Sequence, residues 1–323
     1  TAYTITGSVG TCTAVTTATV NVNPLPVVTV GSNTPCVNQN LNLTSSGGTS
    51  YSWTGPGFSS TQQNPTISGS TQSNAGAYTV IVTDANSCVN SGSVNVVINA
   101  LPVVTATGAT VCVGATINLS STGGVTYSWS GPNLYSSSQQ NPSITGAATN
   151  MAGSYAVTVT DANGCSNANI ANVAVNPGLV INASSNSPVC QNGTLSLMAS
   201  AGVSWAWGGP NGFGAVQQNP NISTVSVNAT GTYTVVGTDV NGCQGTATTM
   251  VTINPLPTVT ATSATICVSQ QTASLIASGA SSYSWSPSTG LSSSMGTSVT
   301  GTPNVTTQYT VTGTDANGCV NTG

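Results

Sequence analysis

The feature that most constrains this chain is its internal repetition. Cys36, Cys112, Cys190 and Cys267 recur about 77 residues apart, and each opens the same series of signals. An alternating apolar stretch follows each one: Leu41-Asn42-Leu43, Ile117-Asn118-Leu119, Leu195-Ser196-Leu197 and, less regularly, Ser274-Leu275-Ile276. Next comes a pair of aromatics one residue apart, Tyr51/Trp53, Tyr127/Trp129, Trp205/Trp207 and Tyr283/Trp285. Gln-Gln-Asn-Pro then spans Gln62 to Pro65, Gln139 to Pro142 and Gln217 to Pro220, and the fourth unit lacks it. A Gly-x-Tyr strand (Tyr78, Tyr155, Tyr233) leads into Thr-Asp-x-Asn-x-Cys, ending at Cys88, Cys165, Cys243 and Cys319. The fourth unit has Thr307-Gln308-Tyr309 at the Gly-x-Tyr position. Short period-two strands broken by Gly, Asn, Pro and Ser predict an all-β chain of sandwich domains.

The pattern sets the boundaries. Residues 1–23 match only the last two strands of a unit, with Tyr3 and Cys12 in register; full units are expected over 24–99, 100–176 and 177–254. The unit at 255–323 stops before its last strand, so the chain is expected to be a window on a longer array. The joints read Asn23-Pro24-Leu25-Pro26, Asn99-Ala100-Leu101-Pro102, Asn176-Pro177-Gly178-Leu179 and Asn254-Pro255-Leu256-Pro257. Proline fixes its own φ and biases its predecessor toward extended geometry, which predicts short stiff linkers and a rod-like arrangement.

Charge narrows the chemistry. The chain has no Lys, Arg or His and four acidic residues, Asp84, Asp161, Asp239 and Asp315, for a net charge of −4. Histidine-dependent nucleophile arrangements and lysine-bearing phosphate loops cannot be assembled from this set. Nucleic acid and anionic lipid, which call for basic groups, are not expected partners. No apolar run is long enough to cross a bilayer, so direct membrane insertion is not expected. At 38% apolar residues and rich in Val, Thr, Tyr and Trp, the sequence is not of the disordered class. Nine cysteines without a CxxC pair point to disulfides in an oxidising compartment rather than to zinc. One carboxylate per unit is too few for calcium, and each aspartate reads as a turn cap. No enzyme activity, cofactor or metal is expected.

Val111-Cys112-Val113-Gly114, Tyr127-Ser128-Trp129, Asn141-Pro142 and the run Gly153 to Asp161 resemble a PKD-type or immunoglobulin-like repeat. The form ending Asp161-Ala162-Asn163-Gly164-Cys165 is similar to repeats of giant Bacteroidota surface proteins, including gliding-motility adhesins and type IX secretion cargo. The resemblance covers nearly the whole chain. It implies tandem immunoglobulin-like (PKD-like) sandwiches, an extracellular location at the cell surface or in a secreted filament, and a spacing or adhesive role. It carries over no catalytic residue.

Within such a fold Trp53, Trp129, Trp207 and Trp285 are expected in the core on the third strand. Tyr51, Tyr127, Trp205 and Tyr283 are assigned to the opposite, partly exposed face, as candidate polysaccharide contacts. Tyr78, Tyr155, Tyr233 and Tyr309 occupy the place of a tyrosine corner. For Cys12, Cys36, Cys88, Cys112, Cys165, Cys190, Cys243, Cys267 and Cys319 three pairings stay open. Immunoglobulin topology sets the two cysteines of one unit toward opposite ends of the sandwich, beyond disulfide reach. In a head-to-tail array it favours Cys36–Cys165, Cys112–Cys243 and Cys190–Cys319, with Cys12, Cys88 and Cys267 pairing beyond this stretch. Same-unit pairs such as Cys36–Cys88 and neighbour pairs such as Cys88–Cys112 are the alternatives. The expected function is a structural stalk or filament shaft of a secreted adhesin, whose partners are further repeats of the same chain, with lateral self-association opposed by little charge. A polysaccharide-binding module and a non-catalytic spacer of a large secreted hydrolase are the competing readings.

Overall fold

In every repeat the third strand lays its tryptophan opposite a valine of the sixth, Trp53 against Val80, Trp129 against Val157, Trp207 against Val235 and Trp285 against Val311. This common register belongs to a computed structural model that describes residues 1–267 and 271–323. The chain is all-β, and its residues cluster into two compact units, 1–111 with 115–174, and 112–114 with 175–323.

In the first unit, an antiparallel hairpin of Ala2–Val9 and Cys12–Thr19 is exposed along both strands. The repeat that follows pairs Thr29–Ser32, Leu41–Ser46 and Thr66–Ile67 in one sheet. A second sheet runs in the order Phe58–Ser60, Ser50–Gly55, Gly76–Thr83, Val89–Val96. Alternation decides the packing: Leu41, Leu43, Trp53, Val80 and Val82 are at most 1% exposed, and Val96 and Ile98 close the same core. The next repeat keeps this plan, its second strand divided into Ile117–Asn118 and Ser120–Thr122.

The second unit repeats the plan over Ala183–Ser185, Leu195–Ala199 and Asn221–Ile222 against Phe213–Ala215, Ser204–Gly209, Gly231–Thr238 and Gln244–Val251. Its last repeat sets Thr260–Ala261, Ala273–Ser278 and Ser298–Gly301 against Ser282–Ser286, Thr310–Thr314 and Val320–Thr322. Here the second strand turns Ala273, Leu275 and Ala277 inward and leaves Ile276 about half exposed, so small alanines keep the alternation. Two sheets with inward-facing period-two residues are the tandem immunoglobulin-like sandwich.

The first aromatic of each pair departs from the expectation. Residues two apart on a strand share a face. Tyr51 and Trp53 therefore both lean toward the core, the tyrosine half-buried at its rim. Tyr127 and Trp205 are likewise half-buried, and Tyr283 is only 7% exposed, a core residue rather than a surface one.

Candidate functional site

The residues with the most chemistry are the cysteines and the turns that hold them. The structure joins Cys36 to Cys165, Cys112 to Cys243 and Cys190 to Cys319, with Cα–Cα separations of 5.6, 5.5 and 5.5 Å. Those separations lie in the middle of the disulfide range. Cys12, Cys88 and Cys267 are unpaired within this chain. In each bridge the turn cysteine (Cys165, Cys243, Cys319) is at most 1% exposed, whereas unpaired Cys88 is partly exposed.

The four aspartates build those turns. Asp161 Oδ1 accepts the Asn163 amide at 2.9 Å and the Cys165 amide at 2.9 Å. Its own amide donates to the Cys165 carbonyl. Asp84, Asp239 and Asp315 hold Cys88, Cys243 and Cys319 in the same way, each accepting the cysteine amide at 2.8 Å. The carboxylate thus pins the backbone of the turn that carries each cysteine, at unbridged Cys88 as at the bridged three. Among the described residues no three of His, Cys, Asp or Glu come together as a metal site.

Each joint is closed from a second side. The Val37 amide donates to the Asn99 carbonyl at 2.9 Å, and the Asn99 amide donates to the Pro35 carbonyl at 2.9 Å. Two residues beyond the turn cysteine, Asn167 donates from Nδ2 to the Pro102 carbonyl at 3.0 Å. Asn90 grips Pro26 and Asn321 grips Pro257, each at 2.9 Å. From Cys36 through the bridge, Asn167, the linker and Asn99 back to Val37 runs a closed ring of covalent and hydrogen bonds. In the third repeat Gly245 takes the place of this asparagine, and a Cβ there would collide with the Leu179 carbonyl. The asparagine two places after a cysteine recurs in the sequence at positions 90, 167 and 321, a signal that sequence reasoning passed over.

Gln-Gln-Asn-Pro, a motif without an assigned role in the sequence, is a brace for the core tryptophan. Gln63 accepts the Trp53 indole N–H on its carbonyl at 3.2 Å, and its Nε2 donates to the Ser45 carbonyl at 2.8 Å. Asn64 Oδ1 accepts the Ser45 amide at 2.9 Å, and Pro65 accepts the Leu43 amide at 3.0 Å. Gln140/Asn141 and Gln218/Asn219 make the same bonds around Trp129 and Trp207. In the fourth repeat the Gly296 carbonyl accepts the Trp285 indole at 3.0 Å.

The tyrosines divide into two groups. Tyr78, Tyr155 and Tyr233 are buried and donate to the carbonyl four residues back (Asn74, Met151, Ala229) at 3.0 Å. Each ring lies on a glycine (Gly55, Gly131, Gly209), where any Cβ would strike it. Desolvation pushes all three phenols above the ordinary tyrosine range, and neighbouring Tyr135 adds to the shift of Tyr155. Tyr309 differs: partly exposed, it donates to the Thr289 carbonyl at 2.8 Å, twenty residues away rather than four. The aromatics read as sugar contacts have their polar atoms engaged. Tyr51, Tyr127 and Trp205 donate to the carbonyls of Gly48, Gly124 and Ala201 at 2.8–2.9 Å, and Tyr283 to that of Ala280 at 2.6 Å.

A groove of about 580 Å³ in the last repeat is lined by Thr265, Leu275, Trp285, Pro303 and Tyr309 among others, offering hydroxyls and apolar surface.

No family model matches the sequence, and no curated protein matches it. Among solved structures, the three N-terminal domains of the bacteriophage RB49 Highly Immunogenic Outer Capsid protein are similar at 13% identity and a TM-score of 0.35, over 72% of this chain and 99% of that one. A structure bearing on host cell surface retention of a 1.5-MDa bacterial ice-binding adhesin is similar at 12% identity and a TM-score of 0.32, over 72% and 99%. The N-terminal eight Ig domains of Down Syndrome Cell Adhesion Molecule match 96% of this chain at 11% identity and a TM-score of 0.30, and the chain spans about half their length, 51%.

Proposed function

We propose that this chain is a covalently braced shaft segment of an extracellular, cell-surface repeat protein, a structural element rather than a catalyst. The supporting observation is the regular offset of its bridges, which close loops with sequence separations of 129, 131 and 129 residues. A bridge inside one repeat braces only that repeat, whereas each of these couples a cysteine of one sequence repeat to the turn of the following one. With repeats over 24–99, 100–176, 177–254 and 255–323, tension at one joint passes to the next through sulfur as well as through the linker. Membership of the Bacteroidota adhesin class, export by type IX secretion and lateral bundling of chains are the finer parts of this reading. They rest on the sequence resemblance and on a net charge of only −4.

Pulling single molecules by their two ends tests it. With bridges intact, the shortest covalent path runs Thr1 to Cys36, Cys165 to Cys190 and Cys319 to Gly323. That path is roughly 65 residues, or about 230 Å fully extended, against about 1,100 Å for the reduced chain. Extension that stops near the shorter limit supports a shaft. Unravelling toward the longer limit without reductant would sink the reading.

A further inference from the structure

The bridges interlace. Cys112 lies in sequence inside the loop closed by Cys36–Cys165, and Cys190 lies inside the loop closed by Cys112–Cys243. Every peptide bond from Cys36 to Cys319 therefore belongs to at least one disulfide-closed loop. Bonds between residues 112 and 165, and between 190 and 243, belong to two. Pairing within repeats would leave the linkers outside every loop, since Cys36–Cys88 and Cys112–Cys165 would span nothing between residues 88 and 112. The linkers are also where a protease finds exposed backbone, with Val103 84% and Val180 80% exposed.

From this connectivity we infer that the chain tolerates backbone scission: one cut at any peptide bond between Cys36 and Cys319 leaves a single covalent molecule. Hydrolysis of that bond consumes one water and yields a carboxylate and an amine. No sulfur bond is broken and no electrons are exchanged, so the ends stay tethered through cystine. The property follows from bridge order alone and holds whether or not the chain bears load. Composition works in the same direction, because without Lys or Arg the sequence offers trypsin-type proteases no bond at all.

That absence makes the test clean, since one introduced arginine creates one tryptic site. Val180→Arg places it in a linker spanned only by Cys112–Cys243, and Leu134→Arg places it at a fully exposed turn spanned by two bridges. Thr17→Arg lies outside all loops. The full-length oxidised chain, with Cys12, Cys88 and Cys267 alkylated, is digested in urea so that cleavage does not depend on access to the folded loop. Cutting is scored on a reducing gel and release on a non-reducing one. Val180→Arg and Leu134→Arg should be cut completely yet run as one species until reduced, while Thr17→Arg sheds its N-terminal piece without reductant. Adding Cys112→Ser and Cys243→Ser should free the fragments of Val180→Arg but not those of Leu134→Arg, which Cys36–Cys165 still holds. Separation of the Val180→Arg fragments without reductant, in the chain with all its cysteines, overturns the inference.

Discussion

Ser45 is the one buried side chain whose polar atom finds no partner among the described residues. Its counterparts show how the site can be satisfied. Ser121 donates its hydroxyl to the Thr105 carbonyl at 2.7 Å, and the later repeats carry Ala199 and Ala277 there. An unpaired buried hydroxyl keeps its desolvation cost with nothing to offset it. Ser45→Ala should therefore stabilise the first repeat by about 1 kcal/mol, whereas Ser121→Ala should cost a similar amount. Hydrogen exchange of the Leu41–Ser46 strand would register the gain as slower exchange, and unchanged or faster exchange would refute it. The buried tyrosines make a second residue-scale prediction. Their phenols are raised in the folded state, so the unfolded chain loses its protons first as pH rises. The stabilising term is complete below the unfolded phenol value of about 10 and is lost as pH climbs through the raised folded one. Phenolate absorbance should show Tyr78, Tyr155 and Tyr233 ionising last, together with alkaline unfolding. Tyr155→Phe should remove one late titration, and the loss of its bond to Met151 should cost about 1 kcal/mol.

At the scale of the element, the brace around the tryptophan and the cysteine turn are separable units. Gln140→Ala removes a donor to the Ser121 carbonyl at 2.9 Å and should destabilise the second repeat by about 1–2 kcal/mol, read from its urea midpoint. Asp161→Ala leaves the Asn163 and Cys165 amides without their acceptor, so the turn should no longer present Cys165 to Cys36. Oxidative refolding of that variant should leave a higher free-thiol count than the parent; an equal count would mean the bridge orients its own turn. These units were unequally legible in the sequence. The alternating stretch Leu41-Asn42-Leu43 was legible, and Leu41 and Leu43 are buried, because burial on a pleated strand follows a period of two. The brace was visible as Gln-Gln-Asn-Pro but not readable, since its partners Ser45 and Trp53 are distant in sequence and meet only after the sheets pack. Glycine's part was hidden for the same reason: Gly131 looks like an ordinary strand end until the Tyr155 ring is found lying on it. Tyr51 was misread because two residues along a strand return to the same face.

For the whole molecule, the order of the bridges predicts which of them governs extensibility. The shortest covalent route from end to end uses Cys36–Cys165 and Cys190–Cys319 and bypasses Cys112–Cys243. Replacing Cys112 and Cys243 together with serine should therefore leave the force-extension limit where it was, at about 230 Å. Without Cys36–Cys165, the shortest route runs from Thr1 to Cys112, crosses to Cys243, turns back to Cys190 and crosses to Cys319, roughly 170 residues. Without Cys190–Cys319 the shortest route crosses from Cys36 to Cys165, turns back to Cys112 and crosses to Cys243, again roughly 170 residues. Either loss should raise the limit about 2.5-fold, to roughly 600 Å. Thermodynamic cost does not rank the bridges this way. Loops of 129 and 131 residues each constrain the unfolded chain by about 5 kcal/mol in the chain-entropy account, so the three removals should lower stability alike. A middle bridge that matters to melting but not to reach, beside outer bridges that matter to both, is a signature that only interlaced pairing yields. If the chain lacking Cys112–Cys243 extended as far as the one lacking Cys36–Cys165, the load would not be following the sulfur path at all.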